Sequence, residues 1–439
     1  MTYASAADYL LGTINETASR RNPTRLDRMR AFLHHLGDPH LAYPTIHVGG
    51  TSGKGSTSTM IAAVLSASGK RTGLHTKPHL SSMTERARVD GATISEDEFA
   101  AVLDEMMPAI EATTHEHGRP SYYETLLALA FVYFARREVD VAVIEVGLGG
   151  TLDGTNLVRP EVSIVTNVGL DHTEVLGNTV EEIATDKAGI AKPGVPLVSC
   201  ATGAARAVIE EACARVGAPF VPVFESAAIE QRPSETYGQS FAVTTDADTY
   251  ELALPVLGRF QQTNAAASIV ALERLGPALR PARADVEHGL GRLVIPGRME
   301  FFPGHPSVIF DIAHNPDKAA SLAEALGETF GDRRFVFVVG IGTTKDAANV
   351  LAPFFALNAS FVFTQFETPG RLSERPQRLS NIAELAGATA RTIVDPVDAL
   401  AVARRAGDGG HVVVVTGSTF VTGLLRDWWL EHVVERSRR

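Results

Sequence analysis

TIHVGGTSGKGSTST, residues 45–59, is an apolar run that passes into a glycine-rich turn carrying one lysine and then a series of hydroxyls. Glycines allow the backbone to turn tightly and to aim successive N–H groups at an anion, and a helix beginning near Lys54 adds its positive N-terminal end. The stretch therefore reads as a phosphate cradle made of Gly50, Thr51, Ser52, Gly53, Lys54, Gly55, Ser56 and Thr57. Lys54 is placed for β/γ phosphates, and the hydroxyl of Ser56 or Thr57 for Mg²⁺. The spelling departs from the common P-loop: Val48 stands at the first glycine position and Gly55 follows the lysine.

The chain outside this stretch predicts a strand–helix alternation. VDVAVIEV (139–146) is nearly all apolar, as a strand buried on both faces of a parallel sheet should be, and it delivers Glu145 to a loop GLGGTLDGTN. EVSIVTNVGLDHTE brings Asp171 and His172 to the same sheet edge, and a helix over 180–189 carries Lys187 near its end. The first forty residues read as helices. Ser95 with Glu98 forms a capping box that opens a helix from Glu96, and residues 122–136 form another. The polar segment TKPHLSSMTERARVDG reads as a loop too poor in apolar groups to be core, with His79, Glu85 and Arg86 as candidates for substrate contact. Residues 240–255 alternate like a hairpin, and 258–275 return to helix. Beyond a linker at 293–297, the strands SVIFD, RRFVFVVG, ASFVFT and HVVVVT alternate with helices at 318–330, 346–356 and 399–406, a second doubly wound domain.

Composition sets the bounds. With 439 residues, 45% apolar and 21% charged, the chain supports two or three globular domains. The formal net charge of −11 argues against nucleic acid as the main partner. The opening MTYASAADYL lacks a basic start and an apolar run, and the longest strongly apolar run, 126–135, falls short of the ~20 residues that span a bilayer. A cytoplasmic protein with no membrane role is expected, and two cysteines without CxxC spacing fit a reducing compartment.

The motifs HVGGTSGKGSTS, TKPHLSSMTERARVDG, EVGLGGTLDGTN, TNVGLDHTEVLGNTVEEIATDKAGIAKPG, FQQTNAA, PGRME, DIAHNPDKA and VTGS, in this order, resemble the folylpolyglutamate synthase/dihydrofolate synthase family of the Mur ligase superfamily. The resemblance implies an α/β fold of two domains: a P-loop-type, parallel-sheet ATP-binding domain over 1–295 and a smaller Rossmann-like glutamate ligase domain over 296–439, with the active site in the cleft between them. It implies ATP held by the glycine-rich turn with Lys54, magnesium ligated by Ser56, Glu145 and His172, and Asn264, Arg298, Asp311 and His314 around the nucleotide. It assigns Lys54, His172 and Lys187 to catalysis, Lys187 matching a lysine that the family often carries as a carbamate beside a second magnesium. His79, Leu80 and Arg86 match the pterin-side loop, and Lys345–Asp346 match the KD pair of the second domain. A monovalent cation and a monomeric state also follow from the resemblance.

Departures fall in ligand-facing neighbourhoods. Lys77-Pro78-His79 stands where the family more often has Ser-Pro-His, Phe260-Gln261 where it has His-Gln, Ile295 where Trp is common, and Ile312 where Gly is usual. None removes a phosphate or metal group. The implied reaction joins glutamate to a folate or dihydropteroate carboxylate through an acyl phosphate. Three alternatives stay open: a superfamily ligase for a different acid, a kinase or NTPase, and a nucleotide-binding protein without catalysis.

Overall fold

The computed structural model describes residues 1–14, 24–233, 238–368, 371–406 and 410–435. Part of the helical reading of the first forty residues, 15–23, lies outside them. The chain divides into two compact units: Met1–His79, Met83–Pro255 and Phe260–Leu293 form the first, and Leu80–Ser82, Val256–Arg259 and Val294–Arg439 the second.

In the first unit, helices α1 (Tyr3–Leu11) and α2 (Thr24–His35) precede β1 (Thr45–Gly49), α3 (Lys54–Ala67), β2 (Thr72–His75), the short strands β3 (Arg88–Val89) and β4 (Ala92–Thr93), and helices α4 (Glu96–His117) and α5 (Tyr122–Arg136). Then come β5 (Val141–Glu145), β6 (Pro160–Val165), α6 (Thr173–Leu176), α7 (Val180–Ala188), β7 (Leu197–Ser199), α8 (Gly203–Val216), β8 (Phe220–Pro222) and α9 (Val223–Ser226). The sheet order is β4-β3-β2-β5-β1-β6-β7-β8, parallel from β2 to β8. β1 and β5 are buried at every position, β5 through an apolar run up to Glu145 and β1 with Thr45 and His47 buried among its apolar residues, and Gly49 and Glu145 emerge side by side at one edge. The capping boxes of α4 and α5 form, Ser95 with Glu98 and Ser121 with Glu124.

Two readings are corrected and one is extended. The segment 76–91 is not an apolar-poor loop outside the core: Met83, Thr84, Arg86, Ala87 and Val89 are buried in a 3-10 turn and in the β3–β4 hairpin that extends the sheet. The hairpin read at 240–255 forms, as β10 (Gln239–Thr245) paired antiparallel with β11 (Thr249–Leu254), and β9 (Ala227–Gln231), which the sequence reading did not include, adds a third antiparallel strand beside β10. Helix α10 (Phe260–Glu273) starts two residues later than expected and is followed by α11 (Arg283–Gly291), which the reading missed.

The second unit holds β12 (Glu300–Phe302), β13 (Ser307–Phe310), α12 (Pro316–Phe330), β14 (Phe335–Val339), α13 (Ala347–Leu351), β15 (Ala359–Phe363), α14 (Pro376–Leu385), β16 (Thr389–Thr392), α15 (Pro396–Arg405), β17 (Val412–Thr416) and α16 (Thr419–Trp429). Its sheet runs β12-β13-β17-β14-β15-β16, parallel except for β12. The helix expected over 346–356 is α13 followed by a 3-10 segment, because Pro353 lacks the N–H needed to continue an α-helix. Elements α14, α16, β12 and β16 were not read from the sequence. Phe335, Phe337, Phe354, Phe361 and Phe363 fill one side of this sheet. Among the described residues no helix is long and apolar enough to cross a membrane.

Arg426 on α16 grips Glu300 on β12 with two hydrogen bonds, 2.5 and 2.8 Å, and both side chains are largely buried. Removing one partner leaves the other charge desolvated. Arg426→Met is expected to destabilise the protein by about 3 kcal/mol, read as a lower urea midpoint with an unchanged slope; an unchanged midpoint would show that the pair is dispensable.

Candidate active site

The glycine-rich turn leaves β1 at Gly49 and enters α3 at Lys54. Gly50 and Gly53 have φ of +133° and +82°, and a Cβ on Gly53 would lie 2.6 Å from Asn264 Oδ1, so both positions need glycine. Gly53 also caps α3 without any side-chain hydrogen bond, which leaves the helix's first N–H groups to an anion. The turn is stapled from β6's side: Ser52 N–H donates to Asn167 Oδ1 (2.8 Å), and the Thr166 hydroxyl donates to Ser52 O (2.6 Å). The sequence reading missed Thr166 and Asn167, because two polar residues after a strand carry no distinctive spacing.

Two lysines meet on one oxygen. Lys54 Nζ donates to Gly50 O (2.9 Å) and Thr51 O (3.0 Å), and Lys187 Nζ donates to the same Gly50 O (3.0 Å). Lys187 is 3% exposed. Its placement depends on how closely the loop after β5 packs on α7: a Cβ on Gly150 would lie 2.6 Å from Asp186 O and 2.9 Å from Lys187 O. Burial, with Lys54 adding repulsion, brings the Lys187 amine down to about 7. Lys77 is lowered to about 8 for the same two reasons, against the attraction of Glu145.

Glu145, 3% exposed, stands beside this corner. Its Oε2 accepts the Lys77 N–H at 2.9 Å and lies 3.3 Å from where a Gly55 Cβ would sit. Ser56 Oγ accepts a long bond from Gln261 Nε2 (3.4 Å), and Gln261 Oε1 accepts from Asn264 Nδ2 (2.8 Å), so α10 lies against the turn. The Thr57 hydroxyl is sealed in the core without a partner, which leaves Ser56 as the hydroxyl for a cation. A hydroxyl and a carboxylate are hard oxygen donors that suit magnesium shared with phosphates. His172 stands at the N-cap of α6, after β6. It has φ +52°, its side chain is 43% exposed, and its ring lies 3.9 Å from Asp171 and 3.6 Å from Glu174. Among the described residues no three His, Cys, Asp or Glu side chains form a ready-made metal cluster.

A groove of about 610 Å³ is lined by α6, α7 and Thr151–Leu152, and includes Glu174, Glu182 and Asp186. That acidic lining disfavours phosphate, in contrast to the corner where Lys54 and Lys187 meet.

Arg86 donates through Nε to His79 Nδ1 (3.1 Å), and its carbonyl contacts His75 Nδ1 (2.8 Å). Burial and then the Arg86 charge hold His79 down at about 4, so its ring is neutral. Leu80 belongs to the second unit, packing near Gly297 and Gly423. There, Asp311 accepts from Met299 N (2.9 Å) and Ala313 N (2.7 Å), while burial raises its pKa. Arg298 Nη1 donates to Gly297 O (3.3 Å). His314 contacts Ile312 O through Nδ1 and is held at about 3 by burial, then by Lys318. Asp346 caps α13 through Asn349 N (3.2 Å). The structure thus brings Lys54, Lys187, Glu145, Ser56 and Asn264 to one turn, pairs His79 with Arg86, and sets Asp311, Arg298 and His314 together in the second unit.

Comparison with known proteins finds the Mur ligase middle domain over residues 48–272 and the Mur ligase glutamate ligase domain over 297–419. The dihydrofolate synthase/folylpolyglutamate synthase of Bacillus subtilis is 33% identical, over 91% of this chain and 94% of its own. A probable bifunctional folylpolyglutamate synthase/dihydropteroate synthase of Haloferax volcanii is 37% identical over 94% of this chain, which spans only 49% of that relative's length. Among solved structures, the Mycobacterium tuberculosis folylpolyglutamate synthase complexed with ADP superposes with a TM-score of 0.89 at 30% identity, covering 97% of this chain and 98% of that one. The Thermotoga maritima folylpolyglutamate synthase gives 0.86 at 31% identity, covering 98% and 97%.

The depressed Lys187 amine makes stability pH-dependent. Between about 7 and the ordinary lysine value of 10.5 the unfolded chain keeps a proton that the native state has lost, so this group's penalty is full below that window and fades as pH rises through it. In carbonate-free buffer, the stability of Lys187→Met relative to the unaltered chain should therefore fall by roughly 2–3 kcal/mol from pH 6 to pH 9. Parallel stability curves from urea titrations would contradict a buried, mostly neutral amine.

Proposed function

The chain belongs to the folylpolyglutamate synthase/dihydrofolate synthase family of the Mur ligase superfamily, and we propose that it joins L-glutamate to the carboxylate of a folate or dihydropteroate with ATP. The observation that carries the reading is the pair of lysine side chains on Gly50 O, at the open N-terminus of α3 and beside Glu145. Such a corner serves a polyphosphate whose terminal group is to be transferred.

In the first step an acceptor carboxylate oxygen attacks the γ-phosphorus as the bond to the β-bridging oxygen breaks, giving an acyl phosphate and ADP. Lys54 and the first N–H groups of α3 hold the phosphates and offset the charge that builds on the transferring group. The glutamate amine then attacks the acyl carbon; phosphate leaves with the former carboxylate oxygen, and the amine gives up its proton. Ser56 and Glu145 would hold magnesium, which supplies charge neutralisation across the β and γ phosphates. Gln261 and Asn264 steady the turn from α10, and Thr166 and Asn167 steady it from β6.

The finer assignments remain part of this proposal: His172 joining Ser56 and Glu145 on magnesium, a second magnesium beside Lys187, a monovalent cation, Arg298, Asp311 and His314 toward the nucleotide, His79, Leu80 and Arg86 toward the acceptor, and a monomeric, cytoplasmic enzyme. Lys187 is proposed to carry CO₂ as a carbamate. Its amine, lowered to about 7, is neutral enough near physiological pH to react, and Lys54 next to it favours the anion that forms.

The test is product formation by mass spectrometry with ATP and glutamate, offering dihydropteroate and tetrahydrofolate separately. One or both should gain glutamate, and Lys54→Ala should lower turnover roughly a thousandfold, in the range of one lost transition-state donor. Failure of both acceptors in a protein that binds ATP would overturn the folate assignment. For the carbamate, ¹³C-bicarbonate should give a protein-bound carbamate NMR signal that is absent from Lys187→Met; an identical signal in both proteins would refute it.

A further inference from the structure

Lys77 is not used in the account above. It directly follows the β2 region, and β2 lies next to β5, which lies next to β1. Its backbone N–H holds Glu145 Oε2 at 2.9 Å, the same oxygen that lies 3.3 Å from a Gly55 Cβ position. Lys77, Glu145 and the first turn of α3 therefore meet at one corner, and the Lys77 charge is close enough to repel Lys54 of the glycine-rich turn.

Its ammonium is half-buried and makes no hydrogen bond or ion pair among the described residues. The other buried lysines of this unit behave differently: Lys187 is bonded to Gly50 O, and Lys192 is bonded to Asn156 O (2.9 Å) and Oδ1 (2.7 Å). Lys54 and Arg86 repel the Lys77 charge, and neither Glu145 nor Asp153, which attract it, comes within ion-pair distance. A partly desolvated cation left without an acceptor is unfavourable until an anion arrives. The sequence places this charge where the family more often carries a serine, which would supply a hydroxyl but no charge.

We propose that the Lys77 ammonium binds the terminal phosphate of ATP together with the acceptor carboxylate that approaches it. Lys54 and the α3 N-terminus grip the phosphate chain from the glycine-rich turn, and Lys77, arriving from the end of β2 and still within reach of the Lys54 charge, meets the same anion from a second direction. Attack by a carboxylate on a phosphoryl group brings two anions together, and a shared ammonium offsets their repulsion and orients the attacking oxygen. The carboxylate half rests on the ligase reading; the phosphate half does not.

The test compares ADP with the β,γ-imido analogue of ATP, both with magnesium, by calorimetry on the full chain. Lys77→Met should bind ADP within about twofold of the unaltered protein and the analogue at least about tenfold more weakly, the scale of one lost charge-assisted hydrogen bond. Lys77→Arg should recover most of the difference. Lys77→Gln, polar and of similar length, repeats the contrast if the methionine variant is unstable. In the glutamate-dependent assay, Lys77→Met should raise the acceptor KM and lower kcat while leaving the glutamate KM in place. Equal weakening of ADP and analogue, or no weakening of either, overturns the proposal. A retained ADP/analogue contrast in a protein that ligates no folate would instead overturn the ligase reading and keep the phosphate contact.

Discussion

The carbonyl oxygen of Gly50 accepts hydrogen bonds from two lysines, and much of the first unit is arranged to make that geometry hold. Two ammonium groups on one oxygen are roughly 5 Å apart, where like charges repel by about 3 kcal/mol at an effective dielectric near 20. Three structural features keep them there. Glycine at 50 and 53 gives the turn its left-handed backbone, Thr166 and Asn167 pin it to the neighbouring strand, and Gly149 and Gly150 let α7 approach closely enough to present Lys187. Burial lowers the cost by moving Lys187 toward neutrality, and an incoming phosphate chain reverses the sign of the problem. The corner is preorganised for an anion because it is uncomfortable without one.

How much of this the sequence discloses depends on the range of the forces involved. The turn at 49–57 is local: glycine, lysine and hydroxyls announce their backbone and their charge within a few residues, and the buried strand β5 announces itself by the apolar run before Glu145. Thr166 and Asn167 act across strands, so nothing beside them in the chain marks them as staples. The burial of Arg86 is likewise a tertiary fact. Its guanidinium is enclosed because Met83, Ala87 and Val89 reach the core through a short turn and hairpin, a pattern too brief for periodicity to register. Strand β16, sequence TART, is a largely exposed edge with no apolar alternation, and β12 is only three residues long. Helix α16 did carry a signal, Val421, Leu425 and Trp429 at four-residue spacing, all buried as that spacing demands.

The protonation pattern separates roles. Burial holds His47 and His75 at about 3 and His79 at about 4, so these three rings near the sheet edge are neutral at physiological pH. They orient: His47 bonds Thr155, which with Tyr123 and Leu148 converges on the Asp153 carboxylate and fixes the loop after β5. Fixing that loop fixes Gly149 and Gly150, and through them the approach of α7. Lysines and carboxylates carry the charge in this region, whereas its buried histidines build the frame that holds them.

That division accounts for how a chain of net charge −11 can favour a polyanion. At physiological ionic strength exposed charges are screened beyond about 8 Å, so the acidic surface weighs little on a ligand seated inside the fold. Lys54 and Lys77 act at short range and in a drier medium, where each interaction is several times stronger than in water. Strand order brings these groups together: β1 leads into the turn, β5 ends in the Glu145 carboxylate, and Lys77 follows β2, the neighbour of β5.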